Sequence, residues 1–278
     1  MQNRLTIVIS TFNNNDNLYN CIRTLIKNTP YAYDIAISDN NEDRAIQDDI
    51  NKMIEGFGCP YVTAYHFGEN NLSKSLNYIA QKTQTEFICF THDDLIYVPS
   101  PTFWQDLIGL LSHSDVGLVA PSASYVDDVQ HILRTDCPRY TKTQYVHGMF
   151  HLTKTNLFNQ MGGFDLQLEV SNDIDYCIRL ADKQYDIVVD RSHYVHHIAG
   201  ATHRKNFSDE KAFQSWIMDI SDITHTIMAK KHGVKRYYEY LRESRDRESM
   251  EAVGTMALEP PKEWKPRLAM KGLEVSAA

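Results

Sequence analysis

Short apolar runs that each stop at a polar cluster, with amphipathic helical patterns between them, restrict this chain more than any other feature. Leu5-Thr6-Ile7-Val8-Ile9-Ser10 is a β-branched run with no alternation, the mark of a strand covered on both faces as in a parallel sheet. Beyond the polar loop Asn13 to Asn17, apolar residues fall at Leu18, Cys21, Ile22, Leu25 and Ile26. That spacing places one helical face on a sheet. Ile35 to Ser38, Tyr61 to His66 and Phe87 to Phe90 repeat the strand signal, and Leu72, Leu76, Ile79 and Ala80 repeat the helical one. Strand alternating with helix over about 120 residues predicts a βαβ architecture with a mostly parallel central sheet flanked by helices.

Later signals are less regular. Val116 to Pro121, Tyr145 to Leu152 and Ile187 to Val189 read as strands, and Asp173 to Asp182 as a helix. From about Phe207 to Arg247 the pattern is helical and increasingly basic, with seven Lys/Arg against three Asp/Glu between Lys230 and Arg247. The expected division is a main domain over 1–205, a C-terminal helical extension over 206–248 and a loosely structured tail or arm over 249–278.

Composition narrows the function classes. Lys plus Arg is 28 against 36 Asp plus Glu, a net charge of -8, which argues against a chain that coats nucleic acid. No apolar run reaches the roughly 18 residues of a membrane span, and the first residues lack the apolar core of a signal peptide. Five scattered cysteines with no CxxC read as reduced thiols of a cytoplasmic protein.

In open parallel sheets ligands sit at the carboxyl ends of the strands. Three polar clusters end strands here: Thr11-Phe12-Asn13, Asp39-Asn40-Asn41 and His92-Asp93-Asp94. An aspartate at position 39 can accept the imide N–H of uracil or thymine, and Phe12 offers a flat face to a base; Asx residues also make turns on their own account. Asp93 and Asp94 point in different directions at a strand end, so one can hold a hard cation such as Mn²⁺ or Mg²⁺ while the other orients the loop. Gly148 and Gly162-Gly163 suit close approach of backbone to a substrate. The histidines His193, His196, His197 and His203 make a further cluster able to complete a cation's shell or to contact a diphosphate.

The segments TIVISTFNN, IAISDNNED, GENNLSKSLNYIAQKTQTEFICFTHDDLIYVP, GMFHLTKTNLFNQMGGFD, NDIDYCIRL and HHIAGATH, in that order, resemble family 2 glycosyltransferases of the GT-A (Rossmann-like) fold. The resemblance spans roughly Leu5 to Arg204. It implies an inverting, metal-dependent transfer of a sugar from a nucleoside diphosphate to a hydroxyl of a glycan or lipid-linked acceptor, as in polysaccharide biosynthesis. Thr11, Phe12, Asn13 and Asp39 then hold the nucleoside, and Asn71 and Lys74 contact the nucleotide. His92-Asp93-Asp94 stands where the family has its DxD motif, with Asp94 on the Mn²⁺ or Mg²⁺ and His92 replacing the aspartate near the ribose. His197, or His196 one register away, completes the metal position. Asp173 matches the general base that an attacking hydroxyl needs. His147, Gly148, Met149 and Asp165 border the acceptor and donor-sugar pocket, with Asp175 alongside; two residues along a helix from Asp173, it faces about 200° away.

Two other readings stay open on the residues alone. A sugar-nucleotide nucleotidyltransferase needs a basic, glycine-rich loop after the first strand, where Thr11 to Asn15 has neither. A metallohydrolase would draw on the histidine cluster. The basic helical segment suits peripheral contact with an anionic membrane or a homo-oligomer contact.

Overall fold

The structure is a computed structural model that describes residues 4–124, 126, 130–132, 137–168, 170–198 and 210–237, without the side chains of 210–218, 221 and 222. The tail expected over 249–278 and His203 lie outside the described residues. A nine-stranded sheet carries the helices. In chain order the elements are β1 (Leu5–Thr11), α1 (Asn15–Asn28), β2 (Tyr33–Asp39), α2 (Arg44–Phe57), β3 (Val62–His66), α3 (Leu72–Lys82), β4 (Phe87–His92) and β5 (Leu95–Tyr97). There follow α4 (Phe103–Leu111), β6 (Val116–Ala123), β7 (Tyr140–Thr143), β8 (Phe150–Lys154), α5 (Thr155–Gln160), α6 (Asn172–Asp182), β9 (Asp186–His197) and α7 (Glu210–His232).

The spatial order is β3-β2-β1-β4-β8-β6-β9-β5, with β7 paired to β9. β1 is buried at all seven positions because it lies between two parallel neighbours, β2 and β4, and is covered on both faces, as its unbroken apolar run predicts. Leu18, Cys21, Ile22 and Leu25 form the buried face of α1. Beyond β4 the sheet changes character: β8 enters antiparallel to both β4 and β6, and β5 and β7 run antiparallel to β9, so the parallel pairing is concentrated in the first half and at β6·β9.

Two strands differ from their sequence-based bounds. The strand expected over Tyr145 to Leu152 begins only at Phe150, because 145–149 forms a loop closed by the Phe150 amide on the His147 carbonyl. The three-residue run Ile187 to Val189 is the start of a twelve-residue strand. Its polar middle, Asp190 to His193, hides it from an apolar pattern, but register shifts against β6 let it continue and pair its end with β5, Leu95 opposite His197.

The described part of the C-terminal extension is the helix α7 and the turn after it. Met228 and Tyr237 are buried in the core. Lys231 bridges to Asp165 and Asp175, and Arg236 to Asp182, so two of the four Lys/Arg in 230–236 pair with the main domain. No described helix is long and apolar enough to cross a membrane.

Candidate functional site

The polar ends of β1, β2 and β4 meet at one edge of the sheet. Ser10 pairs with His92, and Thr11 with Asp39. The two adjacent aspartates after β4 diverge. Asp93, 3% exposed, accepts from Thr11 Oγ1 at 2.6 Å and from Asn14 Nδ2 at 3.3 Å, and its amide bonds to the Ser10 carbonyl. Its carboxylate ties the β1 loop to the β4 loop. The same bond takes the donor of the Thr11 hydroxyl, so both residues expected at the nucleotide also hold these two loops together.

Asp94 turns the other way. One ligand atom each from His92, Asp94 and His197 lie within 4.8 Å of one another, and His197 Nε2 stands 3.5 Å from Asp94 Oδ2. Asp94 Oδ1 and His197 Nδ1 are buried with no hydrogen-bond partner. An unpaired buried polar atom costs about 1–3 kcal/mol, and a bound cation relieves that cost. Burial works to raise the Asp94 pKa, but the His197 hydrogen bond and the charge of His92 outweigh it and hold the carboxyl below its usual range. Two imidazoles and an ionised carboxylate are a donor set that fits a divalent cation. His92, expected near the ribose, belongs to this group; the turn between β4 and β5 places Asp94 beside it.

His196 is not part of the group. Successive residues of a strand point to opposite faces, and the His196 ring instead meets Ser124 Oγ at 3.0 Å and the Tyr194 hydroxyl at 3.1 Å. His193 is also elsewhere, buried between Ser100 and Asp106, 2.9 Å from each.

Asp39 is fully buried. Its Oδ1 accepts from the Asn41 amide and side chain at 3.0 and 2.5 Å, and its Oδ2 meets His66 Nδ1 at 2.5 Å. The carboxylate is therefore engaged inside the chain, held by Asn41 of the same cluster and by His66, which the sequence reading did not single out. Phe12 is half-buried and Asn13 exposed at the end of β1; Asn13 takes a positive φ of 55° and donates its amide to Asn41 Oδ1 at 2.7 Å. Asn71 caps α3 by accepting from the Lys74 amide, and the Lys74 ammonium pairs with Glu69. Both stand at the first turn of α3, Asn71 as a cap and Lys74 largely in solvent.

Asp173, in the first turn of α6, is fixed from the loop 145–149. Its Oδ2 accepts from the Gly148 amide at 2.8 Å and its Oδ1 from the Ile174 amide at 2.9 Å. The loop is itself held: His151 Nε2 meets the Val146 carbonyl at 3.0 Å, and burial pushes the His151 pKa down, favouring the neutral ring. His147 is half-buried with its ring 2.8 Å from the Tyr145 hydroxyl. The Met149 side chain is 1% exposed and packs in the core, so its carbonyl, which accepts the His92 amide at 3.2 Å, is the part that matters here.

Asp175, expected beside the pocket, stands in a buried ion-pair network that joins α6 to α7. It is fully buried, with Arg179 Nε 2.8 Å from Oδ2, and Lys231 Nζ and His232 Nε2 at 2.7 and 2.8 Å from Oδ1. Burial works to raise its pKa, but His232, Arg179 and Lys231 outweigh that and hold it at about 2. Asp165 pairs with Lys231 at 2.6 Å and borders a cavity of about 650 Å³ between α3 and the 161–167 loop.

The description Glycosyl transferase family 2 matches residues 6–178. The chain belongs to glycosyltransferase family 2. No curated protein matches it. Among solved structures, the mannosyltransferase PcManGT from Pyrobaculum calidifontis, in complex with GDP-Man and Mn²⁺, superposes with a TM-score of 0.60 at 14% identity, covering 98% of this chain and 79% of that one. GalNAc-T7 with UDP, GalNAc and Mn²⁺ superposes with a TM-score of 0.62 at 10% identity, covering 98% of this chain and 55% of that one. This family 2 member is therefore a glycosyltransferase with the GT-A fold.

Proposed function

We propose that this glycosyltransferase moves a sugar from a UDP or dTDP donor to a hydroxyl of a glycan or lipid-linked acceptor, with inversion and with Asp173 as general base. The observation that carries the reading is a backbone link. Gly148 holds the Asp173 carboxylate through its amide, and the next residue, Met149, accepts the His92 amide through its carbonyl. A proton acceptor and a cation-binding group thus border one short loop.

Each residue's part follows from its surroundings. An attacking hydroxyl must lose its proton as the new bond forms, and a carboxylate within about 2.6–3.2 Å can take it. The two backbone amides on Asp173 fix its plane and leave further lone pairs for the acceptor hydroxyl. Displacement in one step from the opposite face inverts the anomeric carbon and needs no covalent intermediate. His92, Asp94 and His197 would hold Mn²⁺ or Mg²⁺, which supplies a Lewis acid beside a departing diphosphate. Asp93 keeps that loop in register with β1 by bonding Thr11 and Asn14. Lys74 can exchange Glu69 for a phosphate oxygen.

Asp39 is fully buried, so a base reaches it only where His66, its side chain 26% exposed, gives way; the carboxylate then favours a base with a single imide donor. A carboxylate offers about four lone-pair sites, and Asn41 and His66 occupy three of them. The imide N–H of uracil or thymine needs one site, whereas guanine brings two parallel donors that would displace Asn41 as well.

Two similar structures carry a nucleotide or nucleotide sugar and Mn²⁺, which supports the donor class. The test is a hydrolysis screen of UDP-, dTDP- and GDP-sugars with MnCl₂, followed by Asp173→Asn. Hydrolysis of uracil or thymine donors, with transfer lost but nucleotide binding kept in Asp173→Asn, is the expected result. A fully active Asp173→Asn enzyme would remove the base assignment, and turnover of GDP-sugars alone would overturn the reading of Asp39.

A further inference from the structure

We propose that Tyr237, in the turn after α7, is a positioning residue for Asp173: its buried hydroxyl holds Ser171, where α6 begins, and so fixes the helical turn that carries the base. The role rests on the reading of Asp173 as general base. It goes beyond that reading because position 237 lies outside the 6–178 span that matches the family.

The start of α6 is not self-supporting. Ser171, directly before the helix, stands at φ 62° and ψ 18°, and its side chain makes no capping bond. A serine in that place ordinarily accepts from the second or third helical amide. A left-handed backbone in a residue other than glycine persists only where its surroundings hold it. Here other elements do so: Asn172 donates to Ser73 Oγ of α3 at 3.0 Å, and the Ser171 side chain meets the Tyr237 hydroxyl.

Tyr237 is itself firmly placed. Gly233, at φ 83°, ends α7 and turns the chain, and the Tyr237 amide closes on the Gly233 carbonyl at 3.1 Å. The side chain is buried in the core, its hydroxyl 2.7 Å from His225 Nδ1 of α7 and the two rings 5.5 Å apart. Burial pushes the Tyr237 pKa up; Ser171 works against that, and the charge of Asp173 adds to it. The group therefore stays a neutral hydroxyl, close enough to feel the base. At the end of α7, Lys231 and His232 hold Asp175. Helix α7 and its turn thus clamp α6 at 171 and at 175, on either side of Asp173, while the Gly148 and Ile174 amides set its carboxylate.

The experiment uses the full chain with MnCl₂ and the sugar nucleotide that wild type hydrolyses, and compares Tyr237→Phe, Ser171→Ala and the double variant. Titration with UDP in Mn²⁺ counts the folded sites, so that kcat is taken per site. Each single variant should lower kcat about tenfold, with donor KM and UDP affinity unchanged. The double variant should lose no more than either one, since both substitutions remove the same hydrogen bond. If Tyr237→Phe does not fold, Ser171→Ala carries the same expectation. A merely structural contact would lower the number of sites or the Tm and leave kcat per site unchanged. That result, or losses that add in the double variant, would overturn the role of Tyr237, and the base reading would stand as long as Asp173→Asn is inactive. A fully active Asp173→Asn enzyme would overturn both.

Discussion

The Gly148 amide donates to Asp173 Oδ2 at 2.8 Å, and a Cβ built on Gly148 would stand 3.2 Å from that same oxygen. Backbone and carboxylate are therefore in contact at a position where a methyl group fits only if the carboxylate gives way slightly. Gly148 does not take a left-handed backbone, so alanine meets only this local crowding. Gly148→Ala should displace the Asp173 carboxylate by a few tenths of an ångström and lower kcat about 10- to 100-fold, with donor KM and Tm little changed. Steady-state kinetics beside a melting curve checks this. An unchanged kcat would mean that Asp173 tolerates displacement and is not the base.

The neighbouring aspartates after β4 should separate cleanly under mutation. Asp94→Ala removes a carboxylate with an unpartnered oxygen, so the fold should survive while the extra thermal stabilisation that UDP gains from Mn²⁺ disappears. Asp93→Ala strips partners from Thr11 Oγ1 and the fully buried Asn14, which should cost about 2 kcal/mol of stability. Melting curves with UDP, with and without Mn²⁺, read both effects. The assignment of the two side chains fails if Asp93→Ala is the variant that loses the metal response at full stability.

The two glycines after α5 differ in the same testable way. Gly162 has a positive φ of 84° with open space around it, whereas at Gly163, φ 70°, a Cβ would lie 2.4 Å from Asn77 Oδ1. That oxygen accepts the Phe164 amide at 2.8 Å, so it cannot move without losing the loop's link to α3. Gly162→Ala should cost about 1 kcal/mol from backbone strain alone, and Gly163→Ala about 1–3 kcal/mol more from overpacking. Urea midpoints of the two variants give the comparison; equal losses would show that Asn77 has room to retreat.

The parts of this molecule legible in its sequence are those governed by burial. β1 and α1 announce themselves because every residue of one, and one face of the other, is covered. Helix α2 carries a local signal too, with Asp43 as its cap, Ile46, Ile50 and Phe57 at helical spacing and Gly58 in a left-handed stop, but it buries only Ile50 fully, so its apolar face is a weak one. What a single sequence hides is pairing between distant segments. Nothing local says that Asp175 faces Lys231 and His232, 56 and 57 positions on. Nor does it say that Asp39 meets His66, or that the polar run after Val189 continues as a strand and brings His197 to Asp94. These are matters of register, which no residue declares alone.

The Asp175 network makes the last prediction, on acid stability. Its folded pKa of about 2 lies below the value of about 3.9 for an unfolded aspartate. A group depressed on folding stabilises the native state at pH values above its unfolded pKa, and that contribution is lost as the pH falls through the folded one. The window therefore runs from about pH 4 down to about pH 2, and at 1.36 kcal/mol per unit the loss is about 2–3 kcal/mol. Asp175→Asn leaves Arg179, Lys231 and His232 facing a neutral amide in a fully buried position. It should cost about 3 kcal/mol at neutral pH and remove most of this acid-dependent loss. Because Lys231 and His232 end α7, the damage should reach the seat of that helix first. Urea titrations of wild type and Asp175→Asn at pH 7, 4, 3 and 2.5 should give curves that converge as the pH falls. Parallel curves would mean that other carboxylates carry the acid sensitivity and that the buried cluster holds α7 by packing alone.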